Sequence, residues 1–86
     1  MMHRSLSLKK LTQIFLSIKT EDQMIDFLKG LLTPQELDQL PVRVELIKKL
    51  KQGQSQRQIA QELNVGIATV TRGAHEIKKG RFKNVK

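Results

Sequence analysis

The sequence predicts an all-α fold. Apolar residues recur at three- and four-residue spacing along most of the chain, and no stretch alternates apolar and polar as a half-buried strand does. No Asn-Gly or Asp-Gly pair marks a hairpin. Eighty-six residues make one small domain with a thin core, of the kind that often gains stability by dimerising.

Each element has its own signals. Leu8, Leu11, Phe15 and Ile18, with Ile14 beside them, form one apolar stripe and predict a helix from about Ser5 to Lys19. Thr20-Glu21-Asp22-Gln23 caps a second helix carrying Met24, Phe27, Leu28 and Leu31. Thr33-Pro34-Gln35-Glu36 is a strong start: Thr33 as N-cap, Pro34 at the first helical position, Glu36 closing a capping box. Leu37, Leu40, Val44, Ile47 and Leu50 continue the stripe to Lys51. Pro41 lacks an N–H donor and predicts a kink, or two helices meeting at Leu40-Pro41. Gly53 stops this region. Ser55-Gln56-Arg57-Gln58 opens a short helix to Leu63, and Asn64 suits a left-handed turn. A last helix runs from Gly66 or Ile67 to Lys79, and 80–86 reads as a basic, frayed tail. The regions are therefore 1–32, 33–54, 55–79 and 80–86.

Composition narrows the function. The net charge is +8, and residues 55–86 hold seven basic and two acidic side chains, so the positive field is weighted to the C-terminal third. Such a face attracts polyanions, nucleic acid before anionic lipid; the bland alternative is a soluble basic surface with no partner. Cysteine is absent, which excludes disulfides and thiolate metal sites. Tryptophan and tyrosine are absent, which disfavours stacking platforms for single strands. No apolar run is long enough for a bilayer and the N-terminus does not read as a signal peptide, so a cytoplasmic protein without a membrane partner is expected.

The strongest constellation spans Ser55 to Lys79. Ile59, Ala60 and Leu63 face inward from its first helix, Val65 fills the turn, and Val70, Ala74 and Ile77 face inward from its second. This is a helix-turn-helix pattern, in which the second helix enters the major groove of DNA. Ala68, Thr69, Thr71, Arg72, His75 and Lys78 fall on the outer face. Threonine hydroxyls suit phosphates or bases, Ile67 or Ala68 a thymine methyl, and Arg57 a guanine edge. Lys78, Lys79, Arg81 and Lys83 suit phosphates. The bland reading of this segment is a helical hairpin with a polar face. His3 and His75 stand too far apart to form a metal site, and none is expected. Ser55 reads as a cap, and Glu36, Asp38 and Glu45 as a helix face; no catalytic group converges, and no enzyme is expected.

Leu32-Thr33-Pro34-Gln35-Glu36, Arg43-Val44, Ser55-Gln56-Arg57, Glu62-Leu63 and the run Gly66 to Gly73 resemble the Trp repressor family over about residues 20 to 79. The resemblance implies an intertwined all-helical homodimer, with 1–32 as dimerisation helices, acting as a sequence-specific repressor on a palindromic operator. Helix-turn-helix dimers, Trp repressor among them, place their reading heads about 34 Å apart. On this resemblance Gln56, Arg57, Ile67, Ala68, Thr69, Thr71 and Lys78 fall on DNA-contact positions. L-Tryptophan, or another amino acid, is the corepressor it implies. Arg43 and Arg72 match arginines that flank the ligand, Arg72 pairing with its carboxylate. Leu32 and Thr33 match residues enclosing it from the partner chain, and Gly73 admits its ring. Glu76 stands where tryptophan-binding members have a serine near the ligand amine; a carboxylate there pairs with that ammonium or with Arg72. The competing readings are a ligand-independent DNA-binding module, as in an architectural factor or a recombinase reader, and a helical protein-interaction module for an acidic partner.

Overall fold

The computed structural model describes residues 7–86, and among them there are five helices and no strand. They are α1 (Leu8–Ser17), α2 (Glu21–Leu31), α3 (Pro34–Lys51), α4 (Gln56–Leu63) and α5 (Ile67–Lys78). The chain divides into two compact units, Met1–Leu37 and Asp38–Lys86, each described here by itself.

Hydroxyl side chains start most of the helices. Ser7 caps α1 by accepting from the Lys10 N–H, and Thr20 caps α2 by accepting from the Gln23 N–H. Thr33 and Glu36 form both halves of the expected box: Thr33 Oγ1 accepts from the Glu36 N–H at 3.2 Å and Glu36 Oε1 from the Thr33 N–H at 2.9 Å. Hydrogen bonding to the carboxyl from the Thr33 N–H, and then from the Thr33 side chain, holds Glu36 below its usual range. Ser55 caps α4 by accepting from the Gln58 N–H at 3.1 Å.

In the N-terminal unit, α1 is shorter than its apolar stripe suggests, and the proposed start at Ser5 lies outside the described residues. Phe15 meets Phe27 edge to face, with ring centroids 5.4 Å apart. Neither α1 nor α2 contains a buried residue. Leu8 and Leu16 are 79% and 78% exposed, and Ile14, Ile25 and Leu31 are also exposed. Leu11, Phe15, Ile18, Met24, Phe27 and Leu28 are half-buried, so the stripe is partly covered within one chain while these five residues stay open.

Of the two alternatives at Pro41, a kink or a junction of two helices, the second is excluded. α3 is one helix with Pro41 inside it, not two helices meeting at Leu40-Pro41. The proline removes a single donor, the one that would reach Leu37, and the remaining ladder on both sides continues the helix. Along the apolar stripe of α3, Leu40 and Val44 are exposed, while Ile47 and the neighbouring Leu46 are buried.

The core of the C-terminal unit is Leu46, Ile47, Ile59 and Val70, with Leu50, Ala60, Leu63, Val65, Ile77 and Val85 packed against it. Ile59 and Val70 are 0% exposed, as their inward placement in the helix-turn-helix predicts. Three helix ends share one solution. After α3, Gln54 N–H reaches the Lys49 carbonyl and Gly53 N–H the Leu50 carbonyl; after α4, Val65 and Asn64 reach Ala60 and Gln61; after α5, Arg81 and Gly80 reach Glu76 and Ile77. Each is a Schellman ending, with its left-handed residue at Gly53 (φ 89°), Asn64 (φ 54°) or Gly80 (φ 95°).

Gly73 is buried in the middle of α5. A Cβ on it would lie 2.8 Å from Leu46 Cδ2 and 3.1 Å from Ile47 Cδ1. Leu46 is itself buried, so its methyl has little room to yield. The glycine thus serves close approach of α5 to α3. Overpacking a core costs about 1–3 kcal/mol. The gain in helix propensity of alanine over glycine is at most about 1 kcal/mol. Gly73→Ala is therefore expected to destabilise the protein by about 1 kcal/mol, read as a lowered midpoint in urea denaturation with an unchanged slope.

Candidate nucleic-acid interface and adjoining cleft

The interface is built on α4 and α5. Their inner faces are held by Ile59 and Val70, so the other faces are presented outward in a fixed register. Arg57, Ile67, Ala68, Thr69 and Lys78, five of the residues expected at DNA, are exposed. Ile67 is a large apolar side chain left half open, at the first position of α5. Gly66 precedes it and offers no side-chain cap, so nothing stands over the first N–H groups of this helix.

Gln56 and Thr71 are placed differently from the outward reading. Both are half-buried, and the Thr71 hydroxyl donates to Gln56 Oε1 at 2.6 Å. The bond ties the first turn of α4 to the first half of α5. Behind them, Lys49 pairs with Glu62 at 3.2 Å, joining the end of α3 to α4.

A cleft of about 610 Å³ adjoins this surface along α5, and Thr69 belongs to both. That is within the range of about 300–1,000 Å³ usual for small-molecule sites. Leu40, Val44, Leu46 and Ile47 of α3 supply its apolar wall, and Thr69, Arg72, Gly73 and Glu76 of α5 face them. Arg43 also lines it. The exposure of Leu40 and Val44 is thereby explained: they line a cleft. Among the described residues neither Arg43 nor Arg72 forms an ion pair or hydrogen bond, so two guanidinium groups border the cleft with no anion of their own.

Glu76 is the acidic group of this cleft. It does not pair with Arg72. Arg81 Nε lies 2.6 Å from its Oε1, and Lys79 Nζ lies 3.1 Å from its Oε2. Lys79 follows one turn later on the same helix, and the Gly80 turn brings Arg81 back to the carboxylate. Hydrogen bonds from Arg81 and then Lys79 hold the Glu76 carboxyl below its ordinary value of 4.5.

The tail is not frayed. Phe82 and Val85 line the cleft, and Val85 packs against the core. Lys51 Nζ donates to the Phe82 carbonyl and, at 2.6 Å, to that of Val85. Composition hides this, because the segment is rich in lysine and its two apolar residues have no periodic partners. Leu46 carries a weak signal in its four-residue spacing to Leu50, whereas Phe82 and Val85 carry none.

The family model described as Trp repressor protein matches residues 6–84. The chain belongs to the Trp repressor family. Among curated relatives it is similar to a Trp operon repressor homolog of Vibrio cholerae, 49% identical over 59 residues, covering 67% of this chain and 57% of that one. It is similar to the homolog of Vibrio campbellii, 53% identical over 49 residues, with 56% and 49% covered. For the homolog of Photobacterium profundum the values are 52% over 52 residues, with 59% and 50% covered. The chain thus spans about half the length of the curated relatives it matches. No solved structure matches it. The all-α architecture is consistent with the Trp repressor family. No helix among the described residues is long and apolar enough to cross a membrane.

Of the residues expected at a ligand, Arg43, Arg72, Gly73 and Glu76 come together on one cleft. Leu32 closes α2 and Thr33 caps α3, both in the N-terminal unit. Gly73 lines the cleft, but its lack of a side chain is already required by Leu46 and Ile47.

The sign of the Glu76 effect follows from its lowered pKa. Its contribution to stability is complete above the unfolded carboxyl value and is lost as pH falls through the folded one. Wild type is therefore expected to be more stable than Glu76→Gln at pH 7. The gap should close on acidification below about pH 4, measured by parallel denaturation of the two proteins.

Proposed function

We propose that this chain is a cytoplasmic, sequence-specific repressor that binds double-stranded DNA as a homodimer on a palindromic operator, with L-tryptophan or a related amino acid as corepressor. The observation that carries the DNA reading is the exposed row Arg57, Ile67, Ala68, Thr69 and Lys78 on a helix-turn-helix whose inner face is fixed by Ile59 and Val70. Arg57 contacts a guanine edge, Ile67 and Ala68 meet thymine methyls, and Thr69 and Lys78 hold phosphates. Thr71 positions Gln56, whose amide reaches the duplex. The uncapped start of α5 suits a phosphate as well. Membership of the Trp repressor family supports the same reading.

The exposed apolar residues of α1 and α2 support the homodimer. Helices without one buried residue gain little from propensity alone, and a second copy would cover Leu8, Leu16, Ile25 and Leu31. Leu32 and Thr33 then act across the dimer, enclosing the ligand of the partner chain. Arg43 and Arg72 supply the anion site for a carboxylate, and the apolar wall takes the ring. Binding there stabilises one setting of α5 over others and so links ligand to DNA affinity.

One observation favours the ligand-independent alternative: Glu76 is already engaged by Arg81 and Lys79. Selection of bound duplexes from random DNA, run with and without L-tryptophan, separates the readings. A palindrome enriched only with the amino acid is the expected result. The same palindrome enriched equally without it would establish the ligand-independent reader, and no salt-dependent enrichment at all would sink DNA binding. On the selected site, Lys78→Ala is expected to lower the slope of log affinity against log salt by about 1. Arg57→Ala is expected to cost about 1–3 kcal/mol and to relax preference at one base. Helix content is expected to fall on dilution together with dimer mass, checked by circular dichroism and sedimentation at matched concentrations.

A further inference from the structure

The acidic group that lines the cleft, Glu76, is already paired with cations of the chain itself, Arg81 and Lys79. A free α-amino acid brings an ammonium, a carboxylate and a side chain. The cleft offers a carboxylate at Glu76, unpaired guanidinium groups at Arg43 and Arg72, and an apolar wall. Only the carboxylate is already used, and a cation from the tail uses it: Arg81 at 2.6 Å, in the residue just before Phe82. Phe82 and Val85 then close the side of the cleft, and Lys51 pins both of their carbonyls. Phe82 takes a left-handed backbone (φ 63°) that a non-glycine residue adopts only when held. Lys51 supplies that hold.

We infer that residues 81–85 form a strap across the ligand cleft, in which Arg81 occupies Glu76 and must be displaced by the ammonium of an incoming amino acid. Arg81 is thus a residue that lowers affinity for ligands whose amine must engage Glu76. A ligand with an amine gains Glu76 only by replacing an existing ion pair, whereas one lacking an amine leaves that pair undisturbed. The strap rests on the amino-acid reading of the cleft given above, and it adds a competitor supplied by the chain itself. Lys79 stays on Glu76 in either state, because it is anchored on the same helix one turn away.

The test is calorimetric titration of the whole chain, wild type and Arg81→Ala, with two probes. One is L-tryptophan; the other is indole-3-propionate, which keeps ring and carboxylate but lacks the amine. Removing Arg81 is expected to tighten L-tryptophan about three- to fivefold, the scale of one partly exposed ion pair, and to leave indole-3-propionate unchanged. In wild type, the Arg81 Nε–H resonance is expected to shift on saturation with L-tryptophan and to stay in place with indole-3-propionate. Equal changes for both probes, or none for either, would overturn the strap while leaving the amino-acid site intact. No binding of either probe to either protein would overturn the amino-acid reading and the strap together. The DNA claim is judged separately by the duplex selection.

Discussion

Where Gly73 lacks a side chain, methyl groups of Leu46 and Ile47 fill the space. That contact sets how closely α5 can lie on α3, and most of the C-terminal unit follows from it. With α5 seated there, Val70 enters the core beside Ile59, and the turn at Asn64 brings α4 onto the same core. α5 is then left with a surface facing outward, and the cleft adjoins it. A larger residue at this point would disturb the reading surface and the cleft together.

The two surfaces share more than a helix. Thr69 is exposed among the expected DNA contacts and also lines the cleft, and Arg72 follows it by one turn. A molecule held between α3 and α5 therefore touches the same helix that is proposed to read DNA. Coupling between two ligands requires a difference in affinity for alternative settings of a common element, and α5 is the element the two proposed sites have in common. The strap adds a third participant, since residues 81–85 begin where α5 ends.

The helix-turn-helix is legible in the sequence because its core residues, caps and turn lie within a short window and obey local rules. Ile59, Val65 and Val70 face inward from periodicity alone, and Asn64 adopts the left-handed turn its short polar side chain permits. Legibility fails where a long-range contact decides. Pro41 reads as a break, yet the intact ladder around it outweighs one missing donor. The segment 80–86 reads as frayed because its order comes from Lys51, a residue far away in sequence. Glu76 illustrates a limit of another kind. The resemblance leads one to expect it beside a ligand amine, whereas its observed partner depends on the Gly80 turn.

The bond between Thr71 and Gln56 bears on how such a protein can change its target. A glutamine whose carbonyl is already claimed presents its amide as a donor, so the orientation of the group is chosen before any duplex arrives. Replacing residue 56 leaves a hydroxyl on α5 in search of an acceptor, and replacing residue 71 lets the glutamine turn over. Divergence of sequence preference along this lineage would then proceed by coupled substitutions on two helices, with single changes passing through a mismatched intermediate.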